Sequence, residues 1–313
     1  MTIWQASASL PMLQERANLL AAIRSFFAGR GVLEVDTPAL ALFGVTDRHL
    51  ENIEARVNGQ IRYLQTSPEY FLKRLLAMGA GPVYYLGKAF RDEETGPRHH
   101  PEFTLLEWYR PGWDEQRLMA EIAELLAGLS PAFTEPRQVR YGELFEAVTG
   151  LNPHTADLAL LREAAARICA GDWQAEDRAT CLDALFSLAV EPTLADGVVF
   201  IRDYPVCQAA LATLAIDTDG VTVARRFELF INGMELGNGY FELTDAVEQR
   251  RRFVEDCQAR RAAGKTTRAI DERLLSALEA GLPACAGVAI GVDRLLMQLV
   301  GETRIDAVLP FVD

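Results

Sequence analysis

The stretch FRDEETGPRHHPEFTLLEWY, residues 90–109, limits what this chain can fold into more than any other. It joins an apolar run at residues 83–90 to a second at 103–109 through the polar segment 94–101, a pattern that predicts an antiparallel hairpin. Side chains alternate across a strand, so Arg91 and Glu93 share one face, and Phe103, Glu107 and Tyr109 share one face of the returning strand. A guanidinium, carboxylates and an aromatic ring on one surface suit a nucleotide. Arginine forks a phosphate, a carboxylate orders an amino group or a metal, and a ring stacks on a base. A solvated hairpin with scattered charges gives the same local pattern.

Upstream, residues 13–29 have helical periodicity, with Leu19, Leu20, Ile23, Phe26 and Phe27 on one side and Gly29 and Gly31 as the stop. Residues 32–35 then alternate before Pro38, which cannot donate to a sheet and marks an edge strand where a second copy could pair. A short strand at 61–65 runs into Thr66, Ser67, Pro68 and Glu69, a good start for a helix over 70–78. Glu69 there reads simply as an acid favoured by the helix dipole.

Downstream, residues 114–129, 157–169 and 180–190 predict helices, which makes about 112–200 a helical insertion without a chemical signature. A strand at 225–231 turns at Asn232-Gly233 and returns at 234–236, and Gly237 and Gly239 flank Asn238 where a backbone can approach a ligand. Thr244, Asp245 and Glu248 cap a helix to about residue 263, and another helix covers 271–282. Last, the small-residue strand 287–291 feeds a helix with Arg294 in its first turn, a second place for an anion, or else a buried strand with an incidental arginine. This order predicts an α+β fold with a mostly antiparallel sheet flanked by helices; no P-loop and no GxGxxG is present.

Length and charge narrow the function classes. With 313 residues, half of them hydrophobic, the chain can bury a substantial core as a single domain with an insertion. A net charge of −13 argues against a broad grip on phosphate backbones, so stable nucleic-acid binding is not expected. Five cysteines without a CxxC pair indicate neither a zinc knuckle nor a disulfide framework and fit a reducing cytoplasm. No run approaches the roughly 18 apolar residues that span a bilayer, and the start lacks an export signal, so neither membrane insertion nor secretion is expected.

The edge strand ending at Pro38, the hairpin with Arg91 and the Gly291–Arg294 strand and helix resemble, in order, motifs 1, 2 and 3 of the class II aminoacyl-tRNA synthetases. TSPEYFLKRLL, FRDEETGPRHHPEFTLLEWY, FELFINGMELGNGYFELTDAVEQRRRF and GVAIGVDRLLM are most similar to the catalytic domain of lysyl-tRNA synthetases. The OB-fold that reads the anticodon in those enzymes is missing. That form, with EWYRPGWD after the hairpin and Ala289 where the synthetases usually carry glycine, resembles the elongation factor P (R)-β-lysine ligases, paralogues that lysylate a protein.

The resemblance implies roles. Arg91 would hold the α-phosphate and Arg294 the γ-phosphate of ATP, Glu93 and Phe103 would set the adenine, and Asp92, His100, Leu236 and Gly291 would complete the nucleotide site. Glu228 and Glu235 would hold Mg²⁺, for which hard oxygens are suited. Ser67, Pro68, Glu69, Glu107, Tyr109, Asn238, Glu242 and Ala289 would line a pocket for (R)-β-lysine, with elongation factor P as the protein substrate and a homodimer formed through residues 32–38. Each glutamate alone reads as a surface acid. Glu69, Glu107 and Glu242 converging without a fixed cation would repel one another, so the set makes sense if the substrate brings positive charge, as a diamino acid does.

Two positions depart from the pattern: His100 and Asp92 stand where asparagine is usual, and imidazole makes one hydrogen bond in a pH-dependent way. A truncated lysyl-tRNA synthetase charging tRNA is a rival reading, opposed by the acidic charge and the missing OB-fold. A non-catalytic amino-acid sensor is another, opposed by the retention of Arg91, Glu93, Glu235 and Arg294.

Overall fold

The computed structural model describes residues 4–92, 94–194 and 196–312. In chain order the first elements are α1 (Leu10–Ala28), β1 (Leu33–Glu34), β2 (Leu40–Ala41), β3 (Glu54–Val57), β4 (Gln60–Leu64), α2 (Glu69–Ala77), β5 (Val83–Phe90) and β6 (Glu102–Pro111). Next come α3 (Glu115–Leu129), β7 (Arg137–Arg140), α4 (Tyr141–Thr149), α5 (Leu158–Ile168), α6 (Arg178–Leu185), β8 (Val198–Pro205), β9 (Leu214–Ile216), β10 (Thr222–Ile231) and β11 (Met234–Phe241). The chain ends with α7 (Ala246–Ala262), α8 (Glu272–Gly281), β12 (Cys285–Gly291) and α9 (Val292–Val300). They form two compact units, Met1–Asp114 with Leu243–Asp313, and Glu115–Glu242. The class is α+β, as the element order predicts.

In the first unit, strands run in the order β1, β5, β6, β12. β5–β6 and β6–β12 are antiparallel, while the short edge strand β1 lies parallel to β5. A separate three-stranded sheet has β4 between β2 and β3. Helix α1 turns Leu19, Ile23 and Phe27 inward, the stripe its spacing dictates, and the Phe27 ring stacks on Tyr84 at 4.6 Å and meets Trp108 edge-on at 5.2 Å.

In the second unit the order is β11, β10, β8, β7, with β9 also on β10; β7 and β8 are parallel and the other pairs antiparallel. The stretch 112–200 is therefore not wholly helical, since β7 and the start of β8 fall inside it. Arg137–Arg140 is short and polar and gains its strand only from pairing with β8. One side of this sheet is covered by α4, α5 and α6 through a core that includes Tyr141, Phe145, Leu182 and Phe230, with Tyr141 stacked on Phe186 at 5.0 Å.

One buried charge cluster ties three separated segments of the first unit. Arg260, with no exposed surface, and Arg268 both donate to Glu51, at 2.8 and 2.7 Å, and Arg260 also donates to the Asp47 and Leu50 carbonyls. Burial raises the Glu51 carboxyl, but the two guanidinium groups outweigh it and hold it at about 2. Removing one member leaves buried charge uncompensated, so Glu51→Gln is expected to cost about 3–5 kcal/mol, measured by urea denaturation near neutral pH. Because the folded carboxyl lies below its ordinary 4.5, the contribution is present above that value and lost as pH falls towards 2. The gap between the wild type and the variant should close over that range.

Candidate active site

The floor of the first unit's site follows from strand register. Glu107 lies opposite Tyr85 on β5 and Ala289 on β12, so these side chains share one face with Phe103, Leu105 and Tyr109. The Ala289 methyl therefore lies beside the Glu107 carboxyl. That carboxyl accepts from Ser67 Oγ at 2.6 Å and from Tyr109 Oη at 2.9 Å. Ser67 Oγ also accepts from the Glu69 amide at 3.0 Å, which starts α2 with Pro68 as its N-cap residue. A cavity of about 250 Å³ below β2 and α2 meets this group only at Ser67.

Glu69 does not lack a cation. Lys73, one turn along α2 and 1% exposed, places its Nζ 2.6 Å from Glu69 Oε1. The expectation of three carboxylates without a fixed positive charge is corrected here: Glu69 has its cation in Lys73, whereas Ser67 and Tyr109 give Glu107 neutral hydroxyl donors.

At the other end of the hairpin, Arg91 follows β5. Its amide donates to Pro101 O at 2.9 Å, and its guanidinium lies 5.1 Å over the Phe103 ring and 3.4 Å from Glu94. The Arg91 Nε is buried with no hydrogen-bond partner among the described residues, a donor that an anion would satisfy. Asp92 is held by its amide on Glu51 O at 3.0 Å. His100 turns Nδ1 to the Glu102 carbonyl, 2.8 Å away, and Glu93 lies outside the described residues.

Arg294 is in the first turn of α9, after Gly291, and its Nε donates to Arg98 O at 3.1 Å. The residue before it fixes the helix. Buried Asp293 accepts from Arg16 of α1 and from the Thr104 amide of β6, both at 2.6 Å, and Arg16 also donates to Thr104 Oγ1.

In the second unit, one face of β10 and β11 carries further candidate residues. Arg226 lies opposite Tyr240, Glu228 opposite Asn238 and Phe230 opposite Glu235, so these side chains point the same way. Simple alternation would put Glu235 and Asn238 on opposite faces. A bulge, marked by the register shift between Leu229 and Phe230, adds Leu236 to β11 and returns both to one face. Glu242, 1% exposed, continues that face, and its backbone O accepts from Thr213 Oγ1 at 2.9 Å.

Burial raises the Glu228 carboxyl; Arg226, 2.5 Å away, opposes this and the negative Glu235 adds to it, leaving Glu228 at about 7. Two close carboxylates whose ionisation is this costly fit a divalent cation, and a Mg²⁺ ion typically takes one or two carboxylates plus phosphate oxygens. No group of three or more His, Cys, Asp or Glu placed for a metal occurs among the described residues; an ion of the kind the resemblance implies would rest on Glu228 and Glu235 together with substrate oxygens.

A family profile described as tRNA synthetases class II (D, K and N) matches residues 3–313. The chain belongs to this class II tRNA synthetase family. Among curated relatives, this class II chain is 46% identical to an elongation factor P--(R)-beta-lysine ligase of Salmonella paratyphi B, over 98% of the chain and 97% of the relative. It is 44% identical to the ligase of the same name from Hamiltonella defensa, over the same shares.

Sequence reasoning missed the residues that hold these groups in place: Lys73 under Glu69, Arg226 beside Glu228, and Asp293 with Arg16 behind Arg294. The first two had a local signal, four residues along a helix and two along a strand. Arg16 had none, since its partner is 277 positions away. Lys73→Met is expected to destabilise the fold by about 3–5 kcal/mol by leaving Glu69 uncompensated. The double variant Lys73→Met, Glu69→Gln should recover most of that loss, measured as a double-mutant cycle in urea.

Proposed function

We propose that this chain is an ATP-dependent ligase that activates (R)-β-lysine as an adenylate and transfers it to a lysine side chain of elongation factor P, releasing AMP and pyrophosphate. The observation that carries this reading is near full-length similarity to ligases of that name, with Arg91, Arg294, Glu228 and Glu235 present.

In this reading Arg91 and Arg294 take the phosphates, with Phe103 at the base and Asp92, Glu93, His100, Leu236 and Gly291 around the nucleotide. Glu228 and Glu235 would hold Mg²⁺, which neutralises phosphate charge when bound. The substrate carboxylate attacks the α-phosphorus, the bond to pyrophosphate breaks and an acyl adenylate forms. No general base is required, because the carboxylate is already an anion, and the arginines act by position and charge. The uncharged ε-amine of the acceptor lysine then attacks the acyl carbon, AMP leaves and a proton is released.

Lys73 changes the charge argument for the amino acid. Glu69 is ion-paired with Lys73, and the assignment of Glu107 and Glu242 to the two ammonium groups of a diamino acid rests on the resemblance. Ser67, Pro68, Tyr109, Asn238 and Ala289 complete the lining. The one-methyl difference at Ala289 discriminates by about 1–3 kcal/mol, so β-lysine is preferred over α-lysine without absolute exclusion.

We assign the chain to the cytoplasm and expect no stable nucleic-acid contact, in keeping with five free cysteines and a net charge of −13. No helix among the described residues is long and apolar enough to cross a membrane. Purified protein with ATP, Mg²⁺, (R)-β-lysine and elongation factor P is expected to add one β-lysyl mass to elongation factor P, read by intact mass spectrometry. No gain there, with efficient charging of tRNA by α-lysine, would return the chain to the truncated synthetase reading.

The likeness of residues 32–38 to motif 1 also supports a homodimer. β1 is an edge strand and Leu33 on it is 55% exposed, surface that a second copy would cover. Sedimentation velocity at micromolar concentration should show a dimer; a fully active monomer would refute it.

A further inference from the structure

The strand β10 carries an irregularity that the proposed chemistry does not by itself require. Ala224 pairs with Tyr204 and Phe227 with Arg202, so Arg225 and Arg226 together face Asp203 alone. Asp203 takes a φ of +61°, a region that a residue other than glycine enters at a cost. Bulges of this kind re-aim side chains. Here Arg225 leaves on one side, bidentate to Glu115 at 2.8 and 2.6 Å and 4.0 Å over the Phe241 ring.

Arg226 leaves on the other side, with every nitrogen of its guanidinium engaged. Nη2 donates to Glu228 Oε1 at 2.5 Å, Nε to Asn238 Oδ1 at 3.2 Å and Nη1 to Gln208 O at 2.8 Å, while the group lies 4.5 Å over the Tyr204 ring. Its side chain is 16% exposed and that of Glu228 12%. The fork thus bridges directly opposed residues of two strands, and with Asn238 Oδ1 occupied the amide is left to offer its Nδ2.

We propose that Arg226 is a positioning residue that fixes Glu228 and Asn238 as one unit, so that the carboxylate assigned to the metal and the amide assigned to the amino acid are set together. This rests on the roles given to Glu228 and Asn238 above. Lysine is a poor substitute, because an ammonium is a compact point charge whose three donors rotate, without the rigid planar fork that holds two partners in a fixed geometry. The signature is therefore joint: loss of either partner moves one binding parameter, and loss of the fork moves both.

The test uses the full chain with Arg226→Lys, Arg226→Gln, Glu228→Gln and Asn238→Ala. Two readouts are taken: Mn²⁺ affinity by electron paramagnetic resonance with a nonhydrolysable ATP analogue, and the KM for (R)-β-lysine in ATP–pyrophosphate exchange. Thermal melting and circular dichroism report folding. Arg226→Lys is expected to fold and to weaken both Mn²⁺ affinity and the amino-acid KM by about tenfold, the scale of one charge-assisted hydrogen bond. Glu228→Gln should move mainly the first and Asn238→Ala mainly the second. A folded Arg226→Lys or Arg226→Gln that leaves either readout unchanged overturns the proposal, as does failure of both to fold, which would make Arg226 a structural residue. If instead Glu228→Gln spares Mn²⁺ or Asn238→Ala spares the KM, the underlying assignment of those residues falls, and the proposal with it.

Discussion

The carboxylate of Asp293 is the interaction on which the first unit's site depends. Its two oxygens accept at 2.6 Å from Arg16 of α1 and from the Thr104 backbone of β6. Three segments far apart in sequence are thereby set around the residue that precedes Arg294. Neither partner tolerates separation, because a buried carboxylate stripped of its guanidinium is far costlier than the pair is favourable. The pair is better understood as fixing a geometry than as supplying net stability. It holds the start of α9 against the strand that carries Phe103 and Glu107.

Cations also stand beside several half-buried acids of the chain. Glu69 has Lys73, Glu228 has Arg226 and Glu51 has Arg260 and Arg268. A chain with a net charge of −13 nevertheless places its cations beside particular carboxylates, and Glu107 is supported by hydroxyl donors.

Much of this was legible in the sequence because local rules carried it. The hairpin announced itself by alternation around a polar loop. Asp245 caps α7 through its own side chain, as its position before the helix indicates, whereas Asp271, read as the first residue of α8, proves to be its cap. Phe103, Glu107 and Tyr109 share one face of β6, as alternation indicates. What was not legible depended on the tertiary environment. β7 is a strand only because β8 lies next to it, and α4, whose Tyr141 and Phe145 are buried, went unread in a stretch without a clear start signal. Glu235 and Asn238 reach one face only through a bulge, which strict alternation forbids. Arg16 could not be paired with Asp293 by any rule of spacing.

The attachment of Asp92 to Glu51 gives the segment after Arg91 an unusual footing. Its amide is bonded to the main-chain carbonyl of Glu51, whose side chain Arg260 and Arg268 hold, rather than to the aromatic core around Phe27 and Trp108. Apolar contacts weaken with cooling and with denaturants, whereas the ion cluster that anchors Glu51 weakens as protons neutralise its carboxylate. The segment after Arg91 and the sheet beneath it therefore answer to different solvent variables. Opening of that segment can proceed as a local event of its own while the strands below stay closed.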